Sequence, residues 1–337
     1  MRVAAIIPCY RVRAQAAEVV AGALEQVDHA FVVDDCCPEH TGDLIEAEFA
    51  PERVTVLRHK KNRGVGGATI TGYKAALGAG YDIFVKIDGD GQMDLDYLPA
   101  LIRPVASGDA DYAKGTRFYG KRYLEHMPMV RLLGNSMLSM LNKISSGYWN
   151  LMDPTNGYTA LSRTAARDIE WWKVARGYFF ESDLLFRLNI SRAVVQDVPI
   201  PARYGHENSS LSVYRAIPRF LLGHMKNFVK RYFYNYLLRD FSVGTVHSFL
   251  GASLFLFGVC FGAYAWVQSH QSGQDASVGT VMLATLPIIL GFQLLLAALS
   301  FDIGNVPSKP LQRILPAERK PPVRALQKAK RRLKESA

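Results

Sequence analysis

Charged residues are missing from two long stretches near the end of the chain. Residues 244–267 and 279–301 contain no Asp, Glu, Lys or Arg over 24 and 23 positions. About 20 apolar residues let a helix cross the hydrocarbon core of a bilayer. Two adjacent runs of this length without charge are untypical of buried helices in a water-soluble core. We therefore predict two membrane-spanning helices that form a hairpin.

Acidic residues are nearly absent from the segment that follows. Residues 308–337 contain ten Lys or Arg but only two Glu, so they carry +8 of the net charge of +10. A basic segment next to a membrane span fits anionic lipid headgroups better than a nucleic acid, and no nucleic-acid partner is predicted. The connector at 268–278 has no Lys or Arg. We therefore expect the connector outside and the N-terminal domain and both termini in the cytoplasm.

Cysteine is scarce as well. The chain has four cysteines, Cys9, Cys36, Cys37 and Cys260, and their spacing is not that of a metal site. Adjacent cysteines such as Cys36 and Cys37 rarely form a disulfide with each other. The pattern is typical of a protein from a reducing compartment.

The first part of the chain alternates apolar strand patterns with helical patterns. Strands are predicted at 3–7, 30–33, 54–57 and 83–87, and helices at 14–27, 43–49 and 67–80. Such alternation predicts βαβ units. We therefore expect a Rossmann-like α/β domain with a mostly parallel sheet.

Two aspartates one residue apart follow the strand predicted at 83–87. Asp88, Asp90 and the amide of Gln92 would lie at the carboxyl end of a parallel strand, where open α/β sheets bind ligands. Oxygen ligands of this kind suit Mg²⁺ or Mn²⁺, and Mg²⁺ often shares them with substrate phosphates. The motif predicts a metal-bound nucleoside diphosphate. Asp-Gly pairs also mark plain turns, and that alternative stays open.

Two further segments have a functional and an ordinary interpretation. The glycine-rich stretch 62–67 lacks the Gly-Lys-Ser/Thr ending of a phosphate loop. It either offers backbone amides to an anion or lets the next helix pack closely. Residues 211–240 combine apolar positions at helical spacing with basic residues, which favours interfacial amphipathic helices over an ordinary surface helix.

In chain order, these motifs resemble those of family 2 glycosyltransferases of the polyprenyl-phosphate branch, which includes dolichyl-phosphate mannosyltransferase and bacterial undecaprenyl-phosphate sugar transferases. The resemblance covers residues 1–240, and the paired C-terminal spans match one bacterial subgroup. It is carried by residues 6–10, 33–35, 62–67, 88–92, 115–117 and 203–205. The chain departs from the family at Arg11, where Asn is usual, at Cys36-Cys37, where Gly-Ser is usual, and in the loop after Gly205.

The resemblance implies four regions. These are a GT-A catalytic domain at 1–210, amphipathic interfacial helices at 211–240, a transmembrane hairpin at 241–303 and a basic cytoplasmic tail at 304–337. It implies a multi-pass protein of the bacterial inner membrane and leaves a homo-oligomer open.

The implied reaction is a metal-dependent, inverting transfer of a sugar from a UDP- or GDP-sugar to polyprenyl phosphate at the cytoplasmic membrane face. The product is a lipid-linked monosaccharide for cell-surface glycans. The alternative is transfer to a sugar hydroxyl in polysaccharide assembly, with Glu181 or Asp183 as the base.

The resemblance also implies site residues. Asp88, Asp90 and Gln92 would bind Mg²⁺ or Mn²⁺. Because guanidinium groups match phosphate geometry, Arg117, Arg131 and Arg203 would bind the lipid phosphate, acting in catalysis with Asp90. The alternative for each arginine is an ordinary surface charge. The donor would be bound by Asp88 together with residues Pro8, Tyr10, Asp34, Asp35, Asn62, Gly64, Asp153, Asn156 and Glu181. For Asp153, Asn156 and Glu181, helix capping is the alternative.

Overall fold

The computed structural model describes residues 1–118, 129–201 and 213–315, without the side chains of 129–133 and 213–216. The chain divides into two compact units. The first contains Met1–Phe228 and the chain from Pro307 onward, and the second contains Val229–Val306.

A seven-stranded sheet forms the centre of the first unit. Its strands are β1 (Val3–Cys9), β2 (His29–Asp34), β3 (Val54–Arg58), β4 (Ile83–Lys86), β5 (Tyr112–Thr116), β6 (Thr159–Ser162) and β7 (Val195–Pro199). They are ordered β3-β2-β1-β4-β6-β5-β7. β6 is antiparallel to both neighbours, whereas the other neighbouring pairs are parallel. The predicted, mostly parallel α/β sheet is therefore confirmed.

The helices fall where the periodicity predicts them in the first part of the chain, with ends displaced by at most three residues. The α-helices span Arg13–Leu24, Thr41–Glu48, Gly64–Gly78, Leu98–Ala106, Met129–Ser146, Arg163–Asp168, Phe180–Ile190, Val213–Phe233, Val243–Ser272, Val278–Gly304 and Leu311–Ile314. Short 3-10 helices lie at Leu95–Tyr97 and Trp171–Lys173, and a π-helical segment lies at Tyr234–Arg239.

The central strands are buried on both faces, which explains their continuous apolar sequences. Every residue of β2 and β4 is buried. The helix Gly64–Gly78 lies against β1 so closely that a Cβ at Gly72 would clash with the side chain of Ile6. The register aligns Cys9 with Asp34, so the carboxyl ends of β1 and β2 form one edge of the sheet.

The second unit contains two helices that are long and apolar enough to cross a membrane. Val243–Ser272 and Val278–Gly304 have 30 and 27 residues, and most of their side chains are exposed. They pack through glycines: a Cβ at Gly251 would lie 3.0 Å from the carbonyl oxygen of Gly291, and one at Gly258 would lie 2.7 Å from that of Ala284. Small residues at the contact are typical of helix pairs in membranes.

An ion pair lies at the end of the second apolar helix. Arg231 donates from Nη1 and Nη2 to the carboxylate of Asp302 at 2.7 and 2.9 Å, and the hydroxyl of Tyr236 donates to Oδ1 at 2.5 Å. Arg231 is almost completely buried. The pair therefore fixes this helix end within the second unit.

The chain after the second apolar helix belongs to the first unit again. The backbone amides of Leu311 and Gln312 donate to the buried carboxylate of Asp111 at 2.7 and 3.1 Å, and the amide of Val194 donates to it at 2.9 Å. Leu311 is itself buried. The predicted basic tail is described only as far as residue 315.

Candidate active site

The predicted donor-site residues of three strands lie along one edge of the sheet. Pro8 is buried within β1, and Tyr10, which follows β1, is 42% exposed. The amide of Asp35 donates to the carbonyl of Cys9 at 3.0 Å, which joins the ends of β2 and β1. β4 is the other neighbour of β1, so Asp88 extends the same edge.

The paired aspartates at the end of β2 hold the surrounding loops. Asp34 accepts hydrogen bonds of 2.7 Å from the amides of Cys37 and Gly42. Oδ1 of Asp35 accepts from the amide of Arg63 at 2.8 Å and lies 2.5 Å from Nδ1 of His59. Oδ2 of Asp35 receives no hydrogen bond from the part of the chain that the structure describes. The contact of Asp35 with a nucleoside stays a prediction.

His59 is a buried part of this site that the sequence analysis missed. Its Nε2 lies 2.9 Å from the hydroxyl of Thr71, opposite the Asp35 contact. His59 follows β3 directly, at the same sheet edge. A polar residue at the end of a predicted strand was the signal that would have identified it.

Two departures from the family pattern coincide with unusual backbone. Arg11 and Cys36 have φ of 56° and 58°, the left-handed region that Asn and Gly adopt most readily. Those are the residues usual in the family at these positions. Sγ of Cys37 accepts a hydrogen bond from the amide of Arg11 at 3.1 Å and contacts the hydroxyl of Thr41 at 3.2 Å. The Cys37 thiol thus holds the loop that contains Arg11 to the start of helix Thr41–Glu48.

The environment of Cys37 also changes its acidity. Burial raises the pKa of the thiol, but hydrogen bonds from the Thr41 hydroxyl and from neighbouring backbone amides outweigh burial, and its pKa is lowered. At Cys9 burial is the largest effect and raises the pKa of the thiol, and the nearby charge of Asp34 raises it further.

The glycine-rich stretch packs against another loop. A Cβ at Gly64, whose φ is +78°, would lie 2.9 Å from the carbonyl oxygen of Arg176, and the amide of Gly67 donates to that oxygen at 2.9 Å. Asn62 accepts from the amide of Gly64 at 3.0 Å. Close packing is thus one role of these glycines. Binding of an anion by Asn62 or Gly64 stays a prediction.

The predicted metal ligands lie in a turn after β4. Oδ1 of Asp90 accepts from the amide of Gln92 at 3.1 Å, and Gly91 has a φ of +72°. Gln92 is exposed, and the side chain of Asp88 is 30% exposed. A Cβ at Gly157 would lie 2.8 Å from Oδ2 of Asp88, so glycine keeps that oxygen accessible.

This set of oxygens fits a hard cation that also binds phosphate. Within residues 1–118, 129–201 and 213–315, no group of three or more His, Cys, Asp or Glu side chains would hold a metal alone. Two carboxylates with an amide are instead the partial set that Mg²⁺ combines with substrate oxygens. Asp88, Asp90 and Gln92 fit a metal whose remaining ligands come from a diphosphate.

A buried lysine lies beside the predicted metal ligands, and the sequence analysis missed it. Nζ of Lys86 donates to Oδ1 of Asp88 at 2.7 Å and to the carbonyl of Gly157 at 3.3 Å, and it lies 3.5 Å from Oε1 of Glu181. Its side chain is 1% exposed. Burial lowers the pKa of Lys86, but Asp88 and Glu181 outweigh burial and raise it. A lysine inside an otherwise apolar parallel strand was the available signal.

Two residues predicted for different substrates are paired with each other. Arg117 donates from Nε to Oδ2 of Asp153 at 2.6 Å and from Nη2 to Oδ1 at 3.0 Å. Asp153 is 1% exposed and Arg117 is 22% exposed. The geometry therefore gives Asp153 the role of fixing the Arg117 guanidinium.

A second buried lysine lies close to this pair. Nζ of Lys114 donates to the carbonyl of Asn156, and the side-chain oxygen of Asn156 accepts from the amide of Tyr158 at 3.0 Å. Burial lowers the pKa of Lys114 to about 8. Asn156 thus supports the turn between Asp153 and β6.

Comparisons with known proteins identify the family. The sequence pattern of the family "Glycosyl transferase family 2" matches residues 4–170. An undecaprenyl-phosphate mannosyltransferase from Micrococcus luteus is 32% identical over 205 residues, which cover 59% of this chain and 83% of that protein. The chain belongs to glycosyltransferase family 2. The resemblance stated from its motifs is thereby confirmed.

Other relatives of this glycosyltransferase have related names. A polyprenol monophosphomannose synthase from Mycolicibacterium smegmatis is 32% identical, with 59% of this chain and 76% of that protein covered. A UDP-N-acetylglucosamine–dolichyl-phosphate N-acetylglucosaminyltransferase from Methanococcus voltae is 29% identical, with 59% and 84% covered. Glucosyl-3-phosphoglycerate synthase from Mycobacterium tuberculosis, solved with UDP, has a TM-score of 0.53 at 20% identity, covering 68% and 79%. That likeness supports the GT-A fold.

The glycosyltransferase holds its two candidate bases differently. Asp183 accepts hydrogen bonds from the amide of Ala175 at 2.8 Å, from Nε of Arg187 at 3.0 Å and from Asn227 at 3.2 Å. These contacts make Asp183 a structural residue. Glu181, in the first turn of helix Phe180–Ile190, contacts Lys86 instead and so lies beside the predicted metal ligand Asp88.

Two predicted phosphate ligands lie outside the described residues. The backbone of Arg131 is in helix Met129–Ser146, but its side chain is not described, and Arg203 is outside altogether. Their roles in binding the lipid phosphate stay predictions.

Proposed function

We propose that this glycosyltransferase transfers a sugar, with inversion, from a nucleoside diphosphate sugar to polyprenyl phosphate at the cytoplasmic face of a bacterial inner membrane. The observation that carries the proposal is the presence, in one chain, of a family 2 catalytic fold and two long apolar helices. Relatives named for polyprenyl-phosphate and dolichyl-phosphate transfer support it. Its product is a lipid-linked monosaccharide.

The donor is bound at the edge formed by β1, β2 and β4. Asp34 and Asp35, at the end of β2, would accept hydrogen bonds from the nucleoside. Asp88, Asp90 and Gln92 would hold Mg²⁺ or Mn²⁺, which supplies positive charge to the departing diphosphate. Lys86 keeps the carboxylate of Asp88 in one orientation through its 2.7 Å contact. UDP and GDP donors both fit this chemistry.

The acceptor needs positive charge rather than a base. A phosphate monoester is already anionic near neutral pH. Arg117 presents a guanidinium whose plane is fixed by Asp153, and Arg131 and Arg203 are further candidates to bind the phosphate. Fixing an arginine before binding lowers the entropy lost when the ligand binds.

The bilayer is the third partner. The helix Val213–Phe233 exposes apolar side chains together with the basic residues Arg219 and Lys226, which suits a membrane interface. The exposed apolar residues are Ile217, Leu221, Leu222, Met225, Phe228, Val229 and Phe233. The two apolar helices would cross the membrane as a hairpin. The connector without Lys or Arg would lie outside, with the basic tail in the cytoplasm.

The decisive experiment compares two acceptors that differ only in the phosphate. Full-length protein in detergent is incubated with Mn²⁺ and a panel of UDP- and GDP-sugars, together with either undecaprenyl phosphate or undecaprenol. Mass spectrometry then identifies lipid-linked product. We expect product from undecaprenyl phosphate with one donor and none from undecaprenol.

An Asp90→Asn variant is the matched control, because it keeps the shape of the side chain and removes one anionic oxygen. It should stay folded and lose transfer. Product from undecaprenol, or undiminished activity of the Asp90 variant, would contradict the proposal.

A further inference from the structure

We propose that Lys86 is a built-in cation of the donor site, which weakens binding of a divalent metal until a nucleoside diphosphate is present. The inference rests on the proposed function in one respect, since it takes Asp88 as a metal ligand. Lys86 would be a positioning residue that balances charge before the substrate arrives.

The geometry shows which charges Lys86 balances. Nζ lies 2.7 Å from Oδ1 of Asp88 and 3.5 Å from Oε1 of Glu181, so these two oxygens are within about 6 Å of each other. Lys86 is completely enclosed, whereas Asp88 is 30% and Glu181 12% exposed. The ammonium group therefore lies on the protein side of the carboxylates and leaves their outer side open.

The charge count explains the expected effect. Asp88 and Glu181 together carry −2, and Lys86 reduces this to −1. A divalent cation next to Asp88 is repelled by Lys86 across a poorly hydrated interior, where charges interact more strongly than in water. The two phosphates of a donor restore the missing negative charge. Metal and nucleotide would therefore bind with strong positive coupling.

Lys114 provides a matched control for removal of a buried lysine. It is as buried as Lys86, but in the described structure its hydrogen bond goes to the carbonyl of Asn156 rather than to a carboxylate. Replacing either lysine by Met removes one buried ammonium. Lys86 contacts both Asp88 and Glu181, so its replacement leaves these two carboxylates without the positive charge between them.

The test measures Mn²⁺ binding to the full-length protein in detergent, from the electron paramagnetic resonance signal of free Mn²⁺. Titrations use Mn²⁺ alone and Mn²⁺ with UDP or GDP. Lys86→Met should bind Mn²⁺ alone at least about tenfold tighter than wild type, and Lys114→Met should not. The tightening by nucleotide should be correspondingly smaller in Lys86→Met.

A double-mutant cycle tests the charge argument directly. Adding Glu181→Gln to Lys86→Met should return the Mn²⁺ affinity towards the wild-type value. Glu181→Gln alone should weaken Mn²⁺ binding. Lys86 then has only one carboxylate partner, Asp88, and neutralises its charge more completely. This single variant keeps the proposal testable if Lys86→Met does not fold.

The outcomes separate this proposal from the proposed function. Equal or weaker Mn²⁺ binding by folded Lys86→Met, or unchanged binding by Glu181→Gln, overturns the role of Lys86. The expected Mn²⁺ affinities without any lipid-linked product would leave that role intact and contradict the proposed acceptor. If Asp88→Asn binds Mn²⁺ as wild type does, Asp88 is not a ligand, and the role of Lys86 is overturned as well.

Discussion

Replacing Asp153 by Asn tests whether its ion pair with Arg117 shapes the acceptor site. The substitution keeps the size of the side chain and removes the charge that holds Nε and Nη2 of Arg117 at 2.6 and 3.0 Å. The new amide also turns one N–H group towards a guanidinium that has only donors. We therefore expect both a loss of stability and a misplaced Arg117.

The size of the effect follows from burial. Each hydrogen bond to a charged group contributes about 1.5–3 kcal/mol. Breaking a fully buried pair costs about 3–5 kcal/mol, but Arg117 is 22% exposed and regains water on release. A loss of roughly 2–3 kcal/mol is expected, which lowers Tm by about 4–12 °C for a domain of this size.

The Asp153→Asn substitution should impair use of the lipid acceptor and leave nucleotide binding nearly unchanged. If Arg117 binds the lipid phosphate, kcat/KM for undecaprenyl phosphate should fall about ten- to a hundredfold, since each factor of ten corresponds to about 1.4 kcal/mol. The affinity for the nucleotide, measured by calorimetry, should change less than about twofold, because contacts at the β1–β2–β4 edge are intact.

Asp183→Asn is the matched control. It removes a carboxylate that also pairs with an arginine, Arg187, at 3.0 Å. It should lose comparable stability but keep its KM for the lipid acceptor. The assignment of Arg117 fails if Asp153→Asn weakens nucleotide binding instead, or if both variants alter the acceptor KM equally.

Three smaller predictions concern stability. Gly258→Ala should destabilise the hairpin by about 1–3 kcal/mol in detergent unfolding, because its Cβ would meet the Ala284 carbonyl, whereas Gly304→Ala has open space and should not. Cys36→Gly should stabilise by roughly 0.5–1 kcal/mol by relieving its left-handed φ, and Cys36→Ala should bring no gain. Burial raises the pKa of Asp197 to about 6, so the stability it contributes is full below about pH 4 and lost as pH rises through 6. Asp197→Asn should therefore be more stable than wild type by about 1–3 kcal/mol at pH 8, with no difference near pH 4. Equal Tm values of the two proteins at pH 8 would contradict the raised pKa of Asp197.

The sheet was predictable from sequence because parallel strands buried on both faces need continuous apolar residues. Residues 3–7, 30–33 and 83–87 show that pattern, and each forms a strand. The segment at 159–162 has no such pattern of its own. It forms the antiparallel strand β6, which depends on pairing with β4 and β5 that are distant in the chain.

The site was predictable only where function imposes a local motif. Asp88 and Asp90 are separated by one residue, so they form a local motif that the sequence shows. The pairing of Lys86 with Glu181 joins residues 95 positions apart, and that of Arg117 with Asp153 joins residues 36 apart. The sequence next to these four residues does not indicate which partner each of them contacts. The sequence shows which charged residues exist, but the fold decides which charge neutralises which.

The contacts of the two candidate bases, Asp183 and Glu181, favour an acceptor that is already ionised. A hydroxyl acceptor needs a carboxylate that can take its proton, but Asp183 is saturated with hydrogen bonds, and Glu181 shares Lys86 with Asp88. A phosphate monoester loses its second proton near pH 6. The rate with undecaprenyl phosphate at saturating Mn²⁺ should therefore rise through about pH 6 and then stay level.

Glu181→Gln is the variant that tests this argument. At saturating Mn²⁺ it should keep the shape of the pH profile, because the ionising group belongs to the acceptor and not to the enzyme. A profile that becomes flat in Glu181→Gln, with a rate reduced a hundredfold or more, would make Glu181 the general base. The acceptor would then be a hydroxyl, and the arginines would lose their assigned role in binding the lipid phosphate.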